Sequence, residues 1–207
     1  SSLNKDSICL LTNRKDSIAM LNLEKDINLI IPRGSNELVK FIQNNTRIPV
    51  LGHADGICHL FIDNNCDIDL AVNVSLDSKI QYPAACNAIE TLLIHKDVAS
   101  KFLSKAIPVF KANKVELRGD EKSSKYGIKL SASNKDWETE YLDLILSIKI
   151  VDSMFEAIAH IQKYGSRHTD GIITEDNHNA SIFMNTIDSA GVFHNCSTRF
   201  ADGFRYG

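Results

Sequence analysis

The segment QYPAACNAIE, residues 81–90, contains a cysteine whose neighbours favour chemistry over packing. Cys86 follows a proline and two alanines and is followed by Asn87. Small neighbours leave room for a substrate carbonyl above the sulfur, so the Cys86 thiolate is a candidate nucleophile. The backbone N–H of Cys86 and the side chain of Asn87 are candidate donors to a developing oxyanion. The alternative is a buried, inert cysteine, and the spacing alone leaves both interpretations open.

A candidate phosphate site lies in IIPRGSNELVKF, residues 30–41. A predicted strand ends at Pro32, Gly34 allows a tight turn, and Ser35 is placed to cap the helix that follows. The amino terminus of a helix attracts phosphate through its free N–H groups and its dipole. Plain helix capping is the alternative reading.

The segment HNCSTRFADGFRYG, residues 194–207, offers cationic side chains beside glycines and aromatic residues. Arg199 and Arg205 are candidates for a bidentate clamp on a carboxylate or a phosphate. The alternative interpretation of this pattern is that both arginines are solvated loop residues.

A metal site is not predicted, although GHADGICH gathers His53, Asp55, Cys58 and His59. The segment has no C-x-x-C pair, and the chain has no second cluster at zinc-ligand spacing. In a strand, Cys58 and His59 would also point to opposite faces.

The composition is that of an ordinary globular chain. Its 207 residues are 43% hydrophobic and 24% charged, and the net charge is −3 with both signs interspersed. This balance indicates neither a nucleic-acid partner nor a membrane partner, and no apolar run approaches the roughly 20 residues of a membrane span. Five scattered cysteines without a disulfide framework favour a reducing compartment, so we expect a cytoplasmic protein.

Short apolar runs alternate with helical patterns, which predicts a parallel α/β architecture. Strands are predicted at residues 7–12, 27–32, 48–52, 58–63, 90–95, 143–151, 171–176 and 190–195. Helices are predicted at 15–23, 35–43, 68–79, 98–107, 153–164 and around 180–187. Ser153 and Glu156 form a capping-box pattern, and Gly165 ends that helix. The polar stretch 119–134 is predicted to be a loop.

Two domains are expected. Residues 1–52 form a predicted βαβ unit too small to bury both faces of its own sheet, so we interpret them as the carboxy-terminal part of a nucleotide-binding domain. Residues 53–207 are then a thiol-bearing catalytic domain. We also expect the chain to be truncated at both ends, because the pattern begins midway and stops within a site-like segment.

Four segments carry a family resemblance: IPVLGHADGICHLFID, YPAACNAIETLLIHKD, KYGSRHTDGIITED and STRFADGFRYG. They closely resemble γ-glutamyl phosphate reductase of the aldehyde dehydrogenase superfamily, which occurs alone or fused to a glutamate kinase. The resemblance covers nearly the whole chain and is weaker at residues 111–136. It implies an aldehyde-dehydrogenase-like, parallel-sheet catalytic domain preceded by the tail of a Rossmann-like nucleotide-binding domain.

The resemblance also implies a reaction. It is the NADPH-dependent reduction of γ-glutamyl phosphate to glutamate 5-semialdehyde and phosphate, through a thioester on Cys86, in proline biosynthesis. Gly34 and Ser35 match the Gly-Ser turn beside the cofactor phosphates, and Glu140 matches the glutamate that holds the nicotinamide ribose. His53 stands where thioester-hydrolysing relatives carry a glutamate base, which a reductase does not need.

The implied partners are γ-glutamyl phosphate, a separate or fused glutamate kinase, and further copies of the chain in a homo-oligomer. The compartment would be organellar for a fused eukaryotic enzyme. The substrate-binding residues expected are Asn87, Asn195, Arg199 and Arg205. Two alternatives stay open: an inactive catalytic-domain fragment that acts only as a folding or assembly module, and a Cys/His hydrolase with His53 as its base.

Overall fold

The computed structural model describes residues 4, 7–34, 36–52 and 55–201. The chain divides into two compact units, residues 1–54 and 55–207.

The first unit contains two short helices, α1 (Arg14–Met20) and α2 (Asn36–Asn44). Helix α1 begins where the Asn13 side chain accepts a hydrogen bond from the Asp16 N–H, which satisfies one of the free donors of a first turn. The buried core of this unit is small and includes a cluster of Leu21, Ile30 and Ile48.

The strands predicted for the first unit are mostly wrong. Among its described residues, the β structure is a single parallel bridge between Ile30 and Val50, on either side of α2. The stretch 7–12 forms no strand, and its Ile8 and Leu10 side chains are more than four-fifths exposed. An apolar run becomes a strand only where a neighbouring strand takes its backbone groups, and the described residues offer this run none.

The second unit is built on a seven-stranded sheet in which every pairing is parallel. Its strands are β1 (Cys58–Ile62), β2 (Ile89–His95), β3 (Glu116–Gly119), β4 (Leu130–Ser131), β5 (Ile145–Val151), β6 (Thr169–Ile173) and β7 (Gly191–His194). Their order across the sheet is β4-β3-β5-β2-β1-β6-β7. Strands β1 and β2 lie at the centre and are buried along their whole length, as expected for a parallel sheet covered on both faces.

Five helices join these strands. They are α3 (Ile68–Ile80), α4 (Lys96–Ala112), α5 (Glu121–Ser124), α6 (Met154–Tyr164) and α7 (Asn177–Thr186). Short 3₁₀ turns occur at Asp136–Glu138 and Thr198–Phe200. Helices α3 and α4 pack over one hydrophobic core and α6 and α7 over another, so a helical layer covers each face of the sheet.

Side-chain caps start the helices close to the predicted positions. Ser153 accepts the Glu156 N–H as predicted, but the Glu156 carboxylate accepts from the Asp152 N–H instead of returning to Ser153. Helix α6 then ends at Tyr164, directly before Gly165.

The loop predicted for residues 119–134 is wrong in part. Strand β3 ends inside it, and α5 and β4 follow. Asp120 causes this local order, because its carboxylate accepts the Ser123 N–H and caps α5 while also accepting the Ile150 N–H of β5.

Candidate active site

Cys86 lies in a tight turn between the end of α3 and the start of β2. The Ala85 N–H donates to the Tyr82 carbonyl at 3.1 Å, and the Ala88 N–H donates to the Ala85 carbonyl at 2.9 Å. Two successive turns therefore shape this segment, and Cys86 is the second residue of the second turn. Its side chain is partly buried, in contrast to the fully buried Cys58.

Gly56 packs its backbone directly against Cys86. A Cβ built on Gly56 would lie 2.0 Å from the Cys86 carbonyl oxygen and 2.6 Å from the Cys86 Cα. Any side chain at position 56 would therefore push the cysteine turn away. No local sequence pattern indicates the role of Gly56, because its contact with Cys86 joins residues that are 30 positions apart.

The neighbouring thiol supports the same turn. Cys58, at the start of β1, donates its S–H to the Cys86 carbonyl oxygen at 3.2 Å. Burial, with a smaller contribution from the Asp170 charge, raises the pKa of Cys58 well above its ordinary value. Cys58 is therefore a protonated donor, whereas a nucleophile must be a thiolate.

Asn87 connects the cysteine turn to the segment that follows β7. Its Nδ2 donates to the Ala201 carbonyl at 2.6 Å, and its side chain is buried. This partner differs from the oxyanion that we predicted for the amide. In the same region, the Thr198 N–H donates to Ser78 Oγ at 3.2 Å, which fixes the segment to α3.

Three buried polar atoms near this junction find no hydrogen-bond partner in the part of the chain that the structure describes. They are Asn87 Oδ1, Thr198 Oγ1 and Arg199 Nε. The Arg199 guanidinium lies 6.0 Å from the centre of the Tyr82 ring. Buried polar groups are nearly always paired, so these atoms offer hydrogen-bonding capacity to a ligand. Arg205 lies outside the described residues.

Asn195 has a structural role. It adopts a φ of 52°, and its Oδ1 and Nδ2 bind the N–H and the carbonyl of Thr174, each at 3.0 Å. Both ends of the amide are thus engaged by the main chain at the end of β6. The predicted contact of Asn195 with the substrate stays a prediction.

Glu140, predicted to hold a ribose, is partly buried in a segment just before β5. The next residue anchors this segment, because the Tyr141 hydroxyl lies 2.7 Å from Asp136 Oδ1 and 2.8 Å from Ser147 Oγ. Arg118 donates to the same Asp136 oxygen at 2.7 Å. Burial alone would raise the pKa of Asp136, but hydrogen bonds from Ser133, Arg118 and Tyr141 outweigh it and hold the pKa below its ordinary range.

A buried ion pair lies between the cysteine turn and the Glu140 segment. Lys79 Nζ donates to Glu90 Oε2 at 2.6 Å, and the two side chains are 0% and 1% exposed. The other carboxylate oxygen, Oε1, accepts the Leu142 N–H at 3.3 Å. No local sequence pattern predicts this ion pair, since each residue falls within an otherwise regular helix or strand pattern.

The phosphate-site candidate belongs to the first unit. Gly34 has a φ of 153°, a conformation that other residues rarely adopt, and α2 begins two positions later. A helix amino terminus can attract phosphate, and the cofactor-phosphate role of this segment stays a prediction. Ser35 and His53 lie outside the described residues.

Among the described residues, no group of three or more His, Cys, Asp or Glu side chains could hold a metal ion. His59 is instead paired with Asp170, whose Oδ1 lies 3.1 Å from His59 Nδ1. Within the described ranges, no helix is long and apolar enough to cross a membrane.

Comparison with known proteins agrees with the motifs around Cys86. No family model matches the chain. Over all 207 residues it is 75% identical to the γ-glutamyl phosphate reductase of Prochlorococcus marinus strain AS9601 and covers 48% of that protein. The chain is a relative of the γ-glutamyl phosphate reductases. The reductase of strain NATL1A is 64% identical over the same residues, which are 47% of its length. The chain therefore spans about half the length of these curated relatives.

Solved structures show the same fold. The crystal structure of γ-glutamyl phosphate reductase from Thermotoga maritima matches with a TM-score of 0.91 and 42% identity, over 95% of this chain and 48% of that one. A glyceraldehyde-3-phosphate dehydrogenase from Methanocaldococcus jannaschii, complexed with NADP, matches with a TM-score of 0.74 at 17% identity, over 90% of this chain and 49% of that one. The second match shows the fold alone, and it confirms the aldehyde-dehydrogenase-like architecture predicted from the sequence.

Proposed function

We propose that the chain is the cysteine-bearing part of an enzyme that reduces γ-glutamyl phosphate to glutamate 5-semialdehyde with NADPH, in proline biosynthesis. The observation that carries the proposal is the partly buried Cys86 turn, held by Gly56 and Cys58, in a chain 75% identical to a reductase of that name. The activity is that of the protein extended to the length of these relatives, which we call the full-length protein.

The first chemical step forms a bond to sulfur. The Cys86 thiolate attacks the γ-carbonyl carbon of the acyl phosphate, the C–O bond to phosphate breaks, and inorganic phosphate leaves with the electron pair. The product is a γ-glutamyl thioester on Cys86. The small residues before Cys86 leave space for this acyl group, and the backbone N–H of Cys86 is the proposed donor to the oxyanion.

The second step reduces the thioester and regenerates the Cys86 thiolate. NADPH, when bound, supplies the hydride that converts the thioester to the aldehyde, and the C–S bond then breaks to release the Cys86 thiolate. The proposed holders of the cofactor are Gly34 and Ser35, which precede α2 in the sequence, and Glu140. A nicotinamide cofactor is also consistent with the NADP complex of the fold relative from Methanocaldococcus jannaschii.

The glutamyl end of the substrate carries an ammonium group and a carboxylate. Arg199 Nε is a buried donor and Asn87 Oδ1 a buried acceptor, and neither has a partner in the described part of the chain. These atoms suit the carboxylate and the ammonium group, respectively. We propose them, with Arg205, as the groups that select a glutamyl chain over a simple acyl chain.

The test is turnover by the full-length protein, with γ-glutamyl phosphate generated in place by a glutamate kinase and ATP. Oxidation of NADPH and release of phosphate should both depend on Cys86, so Cys86→Ser should abolish both while the circular dichroism spectrum stays unchanged. A serine variant that keeps a tenth or more of the turnover would rule out the nucleophile. Replacing NADPH with NADH in the same assay measures the cofactor preference.

A second proposal concerns the 207-residue chain taken alone. Since it spans about half the length of its relatives, we propose that it folds as a catalytic module but does not turn over without the remaining segments. Residues 1–52 would then complete a nucleotide-binding domain, and residues 53–207 would form the catalytic domain. Cytoplasmic localisation and homo-oligomer formation belong to the full-length protein and are proposed on the family resemblance.

A further inference from the structure

The loop that carries Cys86 is closed at its base by the buried Lys79–Glu90 pair. Lys79 lies in the last turn of α3, and Glu90 is the second residue of β2. Cys86 lies between them, seven positions after the lysine and four before the glutamate. The 2.6 Å contact between Nζ and Oε2 therefore fixes the distance between the two ends of the cysteine loop.

Glu90 also binds a second segment. Its Oε1 accepts the Leu142 N–H at 3.3 Å, and Leu142 has a φ of 56°. A leucine rarely adopts this left-handed conformation unless its surroundings impose it. Leu142 lies two positions after Glu140, so the carboxylate of Glu90 sets the path of the segment that carries Glu140. Lys79 Nζ also lies 5.9 Å from the centre of the intervening Tyr141 ring.

Burial of the Lys79 and Glu90 charges costs free energy. Burial raises the pKa of Glu90 to about 7, although Lys79 opposes the rise, and burial lowers the pKa of Lys79 against the attraction of Glu90. Glu140, Asp143 and Cys58 also act electrostatically on the pair, and the Tyr141 ring faces Lys79. Apolar residues of similar size often replace a buried ion pair without loss of stability, so stability alone gives little reason for these two charges.

We infer that Lys79 and Glu90 are positioning residues that hold the Glu140 segment in register with the Cys86 loop. The inference rests on the proposed function, in which Cys86 carries the acyl group and Glu140 holds the cofactor ribose. Without the pair, the cysteine loop keeps its own turns and the Cys58 hydrogen bond, which serve formation of the thioester, whereas its reduction needs both segments in register. Loss of the pair should therefore affect the reduction step much more than acylation.

The test compares two double variants of the full-length protein. Lys79→Met with Glu90→Leu removes both charges and the acceptor for the Leu142 N–H. Lys79→Met with Glu90→Gln removes the charges but keeps a carbonyl oxygen as that acceptor. The control is Lys105→Met with Asp69→Asn, which removes an exposed pair of the same 2.6 Å length. Thermal unfolding, phosphate release without NADPH, and NADPH oxidation are measured for each protein.

The leucine variant should unfold near the temperature of the unaltered protein and release one equivalent of phosphate at a similar rate. Its NADPH oxidation should be at least about tenfold slower, a loss confined to the step that needs both segments. The glutamine variant should regain most of that rate, and the control should match the unaltered protein in all three measurements.

The inference is wrong if the leucine variant oxidises NADPH at the unaltered rate, or if acylation and reduction fall by the same factor. If that variant does not fold, Leu142→Pro decides, because it leaves the ion pair intact but removes the N–H that Glu90 accepts and forbids the positive φ of this residue. Slower reduction with unchanged acylation supports the inference, and unchanged reduction overturns it. If the unaltered protein releases no phosphate at all, the proposed function itself has failed.

Discussion

The thiol of Cys58 donates a hydrogen bond to the main-chain carbonyl of Cys86, with 3.2 Å between sulfur and oxygen. One cysteine thus orients the peptide of another. The donor must stay protonated to play this part, and burial keeps the pKa of Cys58 well above its ordinary value.

Removal of this donor should loosen the cysteine turn. A thiol is a weak donor, so Cys58→Ala is expected to lower kcat/KM by about twofold to tenfold, the range of one ordinary hydrogen bond. Cys58→Ser keeps a donor and should lie closer to the unaltered enzyme. Equal kcat/KM values for the alanine variant and the unaltered full-length protein would show that the contact has no role in catalysis.

Gly56 should tolerate no side chain. In Gly56→Ala, the added Cβ would meet backbone atoms of Cys86 at 2.0–2.6 Å, and such overpacking typically costs about 1–3 kcal/mol. Urea unfolding should show this loss together with a lower rate of Cys86 alkylation or turnover. Gly191→Ala is the matched control, because its nearest contact is the outer edge of the Phe193 ring at 3.2 Å. Equal stability of the two variants would contradict the close approach.

Arg199 should bind the anionic end of the substrate. A lost charge-assisted hydrogen bond costs about 1.5–3 kcal/mol, so Arg199→Ala should lower kcat/KM for γ-glutamyl phosphate by about ten- to a hundred-fold. Arg199→Lys should recover only part, because lysine keeps the charge but loses the planar fork. Arg205→Ala and Arg205→Lys, measured in the same way, show which arginine contributes more to kcat/KM. Unaltered kinetics in both alanine variants would mean that neither arginine contacts the substrate.

His160 should make the fold sensitive to acid. Burial, and then the neighbouring His59, lowers the pKa of His160 to about 3. Below its ordinary pKa of about 6.5, the unfolded chain therefore takes up a proton that the folded chain does not. Stability should fall as the pH drops from about 6.5 towards 3, by at most about 1.4 kcal/mol per pH unit from this group.

The measurement is the unfolding free energy of the full-length protein between pH 7 and pH 4, compared with that of His160→Gln. The glutamine variant should be less stable at pH 7, because the T-shaped contact of His160 with Trp137 is altered. Its stability should then decline less steeply with acid. Parallel pH curves for the two proteins would show that His160 does not titrate on unfolding.

The sequence predicted the parallel sheet well because its central strands are largely apolar segments between helical patterns. It failed for residues 7–12, where an apolar run has no strand partner among the described residues, and for residues 119–134, where a single aspartate organises a polar stretch. Strand pairing and capping of this kind depend on distant residues, which a local pattern does not contain.

The candidate site, like the fold, was predicted only in part from the sequence. The small neighbours of Cys86 indicated a candidate nucleophile in a loop, but the residues that support its turn were missed. Gly56 and Cys58 come from a different segment, and the Lys79–Glu90 pair joins residues that each satisfy an ordinary helix or strand pattern. Asn195 also lies beside a recognisable motif, but that motif gave no indication of Thr174, whose main chain the Asn195 amide binds.

The central claim is that Cys86 forms a thioester with the γ-glutamyl group. The most direct measurement is mass spectrometry of the full-length protein after brief incubation with glutamate, ATP and a glutamate kinase, without any nicotinamide, followed by acid quenching. We predict a mass increase of one glutamyl group, located on the peptide that contains Cys86 and removed by hydroxylamine. An unmodified protein, or an adduct on any other residue, would contradict the account.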